Sequence, residues 1–207
     1  MSPEEVLSKG ERTHQVVLDA AYDLFLAQGY SATSMRQIAE KAGIALGGIY
    51  NHFAGKDEIF QELVLAKHPY VQIFPLLQDV PGETAEEFLT NAARVIETEM
   101  MQRPDFFKLM FIELIEFGGR HFAKLIETIL PVAMPLLQRF ADPHSGVRAL
   151  PPLLIMRTFL GNIIGFYVTR LLMSDSGIPA EIREMRLGDF VEIYLHGILE
   201  KQKTENL

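Results

Sequence analysis

The chain has 207 residues, 48% of them apolar, which suits one large domain or a small one joined to a larger, with ample material for a packed core. Cysteine is absent, so disulfides, thiolate zinc sites and cysteine nucleophiles are excluded, in keeping with a reducing compartment. The net charge of −8 opposes a nucleic-acid partner unless the basic groups gather on one face.

Met1 to Glu5 is acidic and no apolar run follows, so a secretory signal is not expected and a cytoplasmic location is. A first helix is predicted from about Arg12 to Gln28, because Val16, Val17, Ala20, Ala21, Leu24 and Phe25 recur at helical spacing. Gly29 suits the left-handed residue that stops it. Thr33 is read as the N-cap of a second helix, with Met35, Ile38 and Ala39 facing inward and Gly43 at its end. A third helix is expected from Ala45 to Phe53, with a weak start because Ala45 has no capping oxygen. Gly47 and Gly48 each cost about 1 kcal/mol against alanine there. Stability alone would not select them, yet they let another backbone or a phosphate come close.

The two short helices cannot stand alone and must pack on the first. A short helix, a tight turn and a second short helix form a helix-turn-helix, which offers its second helix to the major groove of DNA. A loose loop with a half-turn is the simpler reading of the same pattern. Residues 1–60 carry five basic and eight acidic side chains, a balance of −3, whereas residues 30–56 carry three bases (Arg36, Lys41, Lys56) and one acid, a balance of +2. DNA affinity should therefore be modest and salt-sensitive.

The segment Val17 to Leu63 resembles the DNA-binding domain of the TetR (tetracycline-repressor-like) family of transcription regulators. The residues that carry the likeness are Ala20-Ala21, Leu24-Phe25, Gly29-Tyr30, Thr33-Ser34, Ile38-Ala39, Ala42-Gly43, Gly48-Ile49-Tyr50, His52-Phe53 and Lys56. The resemblance implies an all-α fold, with a helix-turn-helix DNA-binding domain at 1–55 and a larger helical effector-binding and dimerisation domain at 56–207. It also implies double-stranded DNA, a second copy of the chain and a small apolar ligand as partners, and no cofactor. Thr33, with Ser34 beside it, would cap the second helix and hold a phosphate; Tyr50 and His52 would lie against the DNA backbone and Lys56 near a phosphate. Base reading would come from Arg36, Gln37, Ala45, Leu46 and Gly48. These roles are chemically reasonable, since hydroxyl, phenol and ammonium groups bind phosphate while Arg and Gln can read purine edges. Ala45 stands where the family usually has serine or threonine, Gly48 where it often has a hydroxyl, and Leu46 where a polar residue is common. Either specificity rests on Leu46 against thymine methyls with Arg36 and Gln37, or binding is weak. Simple packing of the third helix on the first accounts for Phe53 and is an open alternative for Tyr50.

From Asp57 onward the pattern is helical and apolar, without strand alternation. A helix from Lys56, punctuated by Pro69 and Pro75, would link head to body. Pro81-Gly82 is a turn, and Thr84 with Glu87 reads as a capping box for a helix to about Gln102. Pro104 opens another helix that ends at Gly118-Gly119; the next holds Pro131 and Pro135 and should bend, and Ala141 to Pro152 is a loop. Leu153 to Met173 is apolar on nearly every side, but Arg157, Asn162 and Arg170 argue against a membrane span. A helix of that kind is buried on both sides. We expect it to pair with the last helix and their mates as a four-helix dimer interface. Leu154, Gly161, Gly165 and Leu172 would come from the first, and Leu187, Phe190, Val191, Tyr194 and Ile198 from the last. In the family the last two long helices do this.

The middle helices are rich in large soft residues. Met100, Phe107, Met110, Phe111, Phe117, Met134, Phe159 and Phe166, with His121 and Asn162 as polar groups, are the candidate lining of an apolar effector cavity; ordinary core is the simpler reading of any one of them. Glu113 and Glu116 with Arg120 read as ligand-orienting groups or as a surface ion pair. The six histidines lack metal-ligand spacing, and no phosphate loop, nucleophile elbow or dinucleotide fingerprint occurs, so neither a metal nor a catalytic site is expected. The leading expectation is a dimeric DNA-binding regulator, a repressor released by a small, largely apolar effector. The other is an all-helical carrier or small enzyme whose N-terminal helices have lost DNA binding, favoured by the acidic balance, Ala45 and the glycine pair.

Overall fold

A computed structural model describes residues 8–103, 105–141, 146–173 and 177–198. Every regular element among them is an α-helix: α1 (Lys9–Gln28), α2 (Met35–Lys41), α3 (Leu46–Ile49), α4 (Lys56–Lys67), α5 (Pro69–Gln78), α6 (Ala85–Met101), α7 (Phe106–Phe117), α8 (Phe122–Ala141), α9 (Pro152–Leu172), α10 (Ala180–Arg183) and α11 (Leu187–Ile198). They form two compact units, residues up to 71 with 105–127, and residues 72–103 with 128–198.

In the first unit α1 begins earlier than its apolar spacing predicts. Ser8 and Glu11 form a capping box that satisfies amides of its first turn: Ser8 Oγ accepts from the Glu11 amide at 3.2 Å and Glu11 accepts from the Ser8 amide at 2.7 Å. Gly29 stops the helix at φ +85°, as expected. The third helix is only four residues long, because Ala45 contributes no capping bond and two glycines follow; tight turns carry the chain on to Phe53. The core joins Val17, Ala21 and Phe25 of α1, Ile38 of α2 and Ile49 of α3 to Ile59, Phe60 and Leu63 of α4, with Leu109 of α7. This packing unit exceeds the 1–55 segment, since three short helices offer too little apolar face to close a core by themselves.

Pro69 ends α4, with His68 extended at its C-cap. Pro75, Pro131 and Pro135 sit inside α5 and α8 without ending them. Thr84 caps α6 through the Glu87 amide, but the Glu87 side chain turns to the Glu83 amide, so only half of the expected box forms. Gly118 ends α7 in the left-handed conformation.

In the second unit α11 lies against α9 and α6. Leu187, Val191, Leu195 and Ile198 are buried there, as are Ile155, Met156, Phe159, Ile163 and Phe166 of α9. Polar bonds fix the register: the Asn162 amide donates to Phe190 O at 3.1 Å and the Tyr194 hydroxyl to Ile155 O at 2.7 Å. Among the described helices α9 is long and apolar enough to cross a membrane by length and composition, but its buried face is committed to its own chain.

Candidate nucleic-acid interface

The turn between α1 and α2 determines how the helix-turn-helix is presented. Ser34, not Thr33, is the N-cap of α2: its Oγ accepts from the Gln37 amide at 3.2 Å, and Gln37 Oε1 accepts from the Ser34 amide at 2.8 Å. Thr33 is 2% exposed, and its hydroxyl donates to Gly29 O at 2.8 Å and accepts from Gln28 Nε2 at 3.1 Å. The expected cap is thus one residue out, and the Thr33 hydroxyl is spent inside the turn rather than held out for a phosphate. Gln37, expected to read bases, is tied to the cap, although its side chain remains exposed.

Ser34, Arg36, Gln37, Ala45, Leu46 and Tyr50 are all exposed, and Gly48 is half-buried. Tyr50 is 54% exposed whereas Phe53 is 1% exposed, so packing accounts for Phe53 but not for Tyr50. His52 is half-buried at the end of the motif, its ring 6.1 Å from that of His14. His14 stacks on Phe53 at 4.3 Å and bonds to Glu62 at 2.8 Å, which pins this end to α1 and α4. A Cβ placed on Gly47 would meet nothing within 4 Å, and one on Gly48 only Ile44 Cδ1 at 4.0 Å. The chain's own packing therefore does not require either glycine.

The three bases of residues 30–56 differ in availability. Lys41 pairs with Asp23 at 3.1 Å. Lys56 Nζ donates to Tyr30 O at 2.6 Å and Thr33 O at 2.5 Å and lies 4.0 Å from the centre of the Tyr30 ring. Burial lowers its pKa, with Glu116 pulling the other way. Its ammonium keeps one donor for a phosphate. Arg36 is exposed and makes no hydrogen bond or ion pair within the described residues.

On the opposite side of the turn, Glu116 accepts from the Tyr30 amide at 3.0 Å, the Ser31 amide at 2.8 Å and the Ser31 hydroxyl. The expected Glu113–Glu116–Arg120 ion pair does not form, because Arg120 pairs with Asp57. Glu113 is buried; its carboxylate accepts from the His121 amide at 2.8 Å and bonds His121 Nδ1 at 2.8 Å, while His121 Nε2 lies 3.5 Å from Asp57. No group of three or more His, Asp or Glu side chains among the described residues is disposed to hold a metal.

The candidate effector residues divide between the units. In the first, Phe117 stacks on Phe60 at 4.6 Å and meets Tyr30 at 4.5 Å, so it and His121 are parts of that unit's core rather than a cavity wall. Phe107 is buried and Met110 and Phe111 are half-buried. In the second, Met100, Phe159 and Phe166 are buried, Asn162 is used on Phe190 O, and Met134 is exposed, which removes it from an enclosed lining. The second unit has a half-open groove of about 460 Å³ between α6 and α11, floored by Ala93, Leu187, Val191 and Leu195 and edged by Glu86, Arg94, Glu97, Arg186 and Glu192; its lining is mixed, and none of the ten candidates lines it.

The candidate interface residues also separate. Leu154, Gly161, Gly165 and Leu172 of α9 are exposed, Leu172 at 74%. Leu187, Val191 and Ile198 are buried within their own chain, and Phe190 and Tyr194 are half-buried. Leu187, Val191 and Ile198 of α11 are thus spent on their own chain, while Phe190 and Tyr194 keep part of their surface open. The bonds by which Glu116 and Gln28 hold the turn are what sequence patterning misses; the 85 or 86 positions separating Glu116 from its partners leave no local signal.

A helix-turn-helix capped, cored and left exposed on its α2–α3 surface defines a DNA-binding transcriptional regulator. Residues 17–63 match the family described as bacterial regulatory proteins, tetR family. The chain is 43% identical over 190 residues to the HTH-type transcriptional regulator SrpR of Pseudomonas putida, covering 88% of this chain and 85% of that one. The chain belongs to the TetR family. Its fold is shared by NalD, the secondary repressor of the MexAB-OprM multidrug efflux pump in Pseudomonas aeruginosa (TM-score 0.68, 22% identity, 93% of this chain and 100% of that one). It is shared too by the fatty acid degradation regulator FadR of Bacillus halodurans (TM-score 0.66, 20% identity, 92% and 96%).

Proposed function

We propose that the chain acts as a dimeric cytoplasmic repressor, without enzymatic activity, on a near-palindromic operator. Residues 1–55 supply the reading head, and the rest dimerises and takes a small, largely apolar effector. The observation that carries the reading is the α2–α3 surface, where Arg36, Leu46 and Tyr50 stand in solvent on a head whose backbone is fixed from within. Two such heads would enter successive major grooves roughly 34–36 Å apart. The exposed α9 face supplies the pairing surface, since exposed leucines at both of its ends and two bare glycines between them favour close helix approach over water. The repressor sign draws on the likeness to NalD, a repressor, and the effector class on the buried Met100, Phe159 and Phe166, which offer soft lining. An effector releases DNA only if it binds one head spacing better than another.

The test is binding to a duplex selected by the wild-type protein from a random pool, at rising salt. We expect affinity to fall steeply with salt. Arg36→Ala should cost about 1–3 kcal/mol if it reads a base, with relaxed preference at one position. Salt-independent retention, or no selected duplex, would overturn the reading. Lys56 is a poor probe, because its loss also breaks the turn it holds.

A further inference from the structure

The Gly29 amide donates to Phe25 O and the Thr33 amide to Tyr30 O. Gly29 O takes the Thr33 hydroxyl, Ala32 O takes Gln28 Nε2, and Tyr30 O and Thr33 O take Lys56 Nζ. The successive amides of Tyr30 and Ser31 point to one place and make a small cradle for an anion. Glu116 fills it from the last turn of α7. The turn is therefore gripped by opposite charges, with a carboxylate on its amides and an ammonium on its carbonyls.

Gly29 belongs to the device. Its φ of +85° is one that other residues rarely adopt, and a Cβ there would sit 3.4 Å from Glu116 Oε1. Burial alone would raise the Glu116 carboxyl, but the bonds from Ser31 and Tyr30 and the charge of Lys56 outweigh it and hold the pKa below the ordinary value. Charge-assisted bonds to two amides and a hydroxyl are the stronger kind. The turn they hold leads directly into Ser34, the cap of α2, so its position sets the pose of Arg36 and of α3 behind it.

We propose that Glu116 is a positioning residue for DNA reading: by occupying the Tyr30–Ser31 amide cradle from α7 it sets the pose of the helix-turn-helix, without itself touching DNA. Its consequence rests on α2–α3 being the DNA surface; its geometry does not. The sign of the effect separates this role from bulk electrostatics. Glu116 is a negative charge on a head that binds a polyanion, so removing it should strengthen binding if charge is all that matters. If it positions the turn, removing it weakens binding.

The experiment compares wild type, Glu116→Ala and the near-isosteric Glu116→Gln by two measurements. One is affinity for the duplex selected by the wild-type protein, across a salt series. The other is hydrogen exchange at single amides. We expect Glu116→Ala to lose tenfold or more in affinity at an unchanged salt slope, with Tyr30 and Ser31 amides exchanging at least tenfold faster while Ile38 and Ile59 keep their protection. Glu116→Gln, which keeps one acceptor, should fall between. Affinity unchanged or raised, or lost without faster exchange at those two amides, overturns the proposal. So does loss of protection through Ile38 and Ile59 in both variants, which would make Glu116 merely a folding residue. A wild-type protein that selects no duplex sinks the regulator reading, and the exchange arm still decides whether Glu116 holds the turn.

Discussion

The α2–α3 head and the α9–α11 pair dispose of exposed apolar surface in opposite ways. The head shows Leu46 and Tyr50 singly, on a backbone held by side-chain bonds from Gln28, Ser34, Lys56 and Glu116. α9 shows a pair of leucines at each end, Leu153 with Leu154 and Leu171 with Leu172, and two bare glycines between the pairs. Isolated exposed apolar groups need no partner, whereas a patch of them does. Rigidity in one region and incompleteness in the other fit the proposed bivalent reader, with fixed heads on a body that pairs.

The largest effect should come from breaking the α9 face. A Cβ on Gly165 meets nothing within 4 Å, so Gly165→Trp should leave the protomer folded. It should drive the dimer apart, and loss of the second head should cost roughly 10²–10⁴ in duplex affinity. Sedimentation and anisotropy measure the two losses, and an intact dimer with full affinity would remove α9 from the interface. Val191→Ala on α11 is the counterpart. Because Val191 is buried in its own chain, it should cost about 2 kcal/mol of unfolding free energy, read by urea denaturation, while the folded fraction stays dimeric.

Acid should sharpen the contrast next. His68, at the end of α4 in the first unit, is buried, and burial pushes its pKa down to about 4. The depressed folded-state value means that the neutral ring contributes stability above the unfolded pKa of about 6.5, and that this is lost as pH falls toward 4. The linked loss is about 3 kcal/mol across that window. Amide protection in the first unit should fall with pH before protection in the second does, and His68→Phe should flatten the profile. A profile unchanged by that substitution would assign the acid sensitivity elsewhere.

Local signals in the sequence are legible where a single residue decides the outcome. Gly29 and Gly118 stop helices by their conformation, Pro69 ends one, and the α1–α2 apolar spacing gives the core. The exposed face of α9 was legible because its period is visible along one helix. The partner of α11 was not, because an apolar row has the same spacing whether it meets its own chain or another. The same holds for two of the candidate effector residues: Phe117 and His121 are apolar or polar in the expected way, but tertiary packing gives them to the head's core. Glu116 lay beyond reach because carboxylates one turn apart on a helix look like solvated surface until the fold brings a distant turn to them.

The smallest effect discriminates between adjacent residues, Ser34 and Thr33. Ser34→Ala removes the oxygen that accepts from the Gln37 amide and frees the Gln37 side chain, so it should cost about 1 kcal/mol and raise exchange at Gln37. Thr33→Val keeps the buried volume but leaves Gly29 O without its hydroxyl donor and Gln28 without one acceptor, a cost of about 1–3 kcal/mol. That cost should appear as loosening of residues 28–33, with Gln37 protection retained. If Thr33→Val exposes Gln37 and Ser34→Ala does not, the cap belongs to Thr33 after all. The α1–α2 turn would then be held mainly by its own hydroxyl rather than by Glu116 and Lys56, and the head would owe its pose to local sequence instead of to a clamp assembled from α4 and α7.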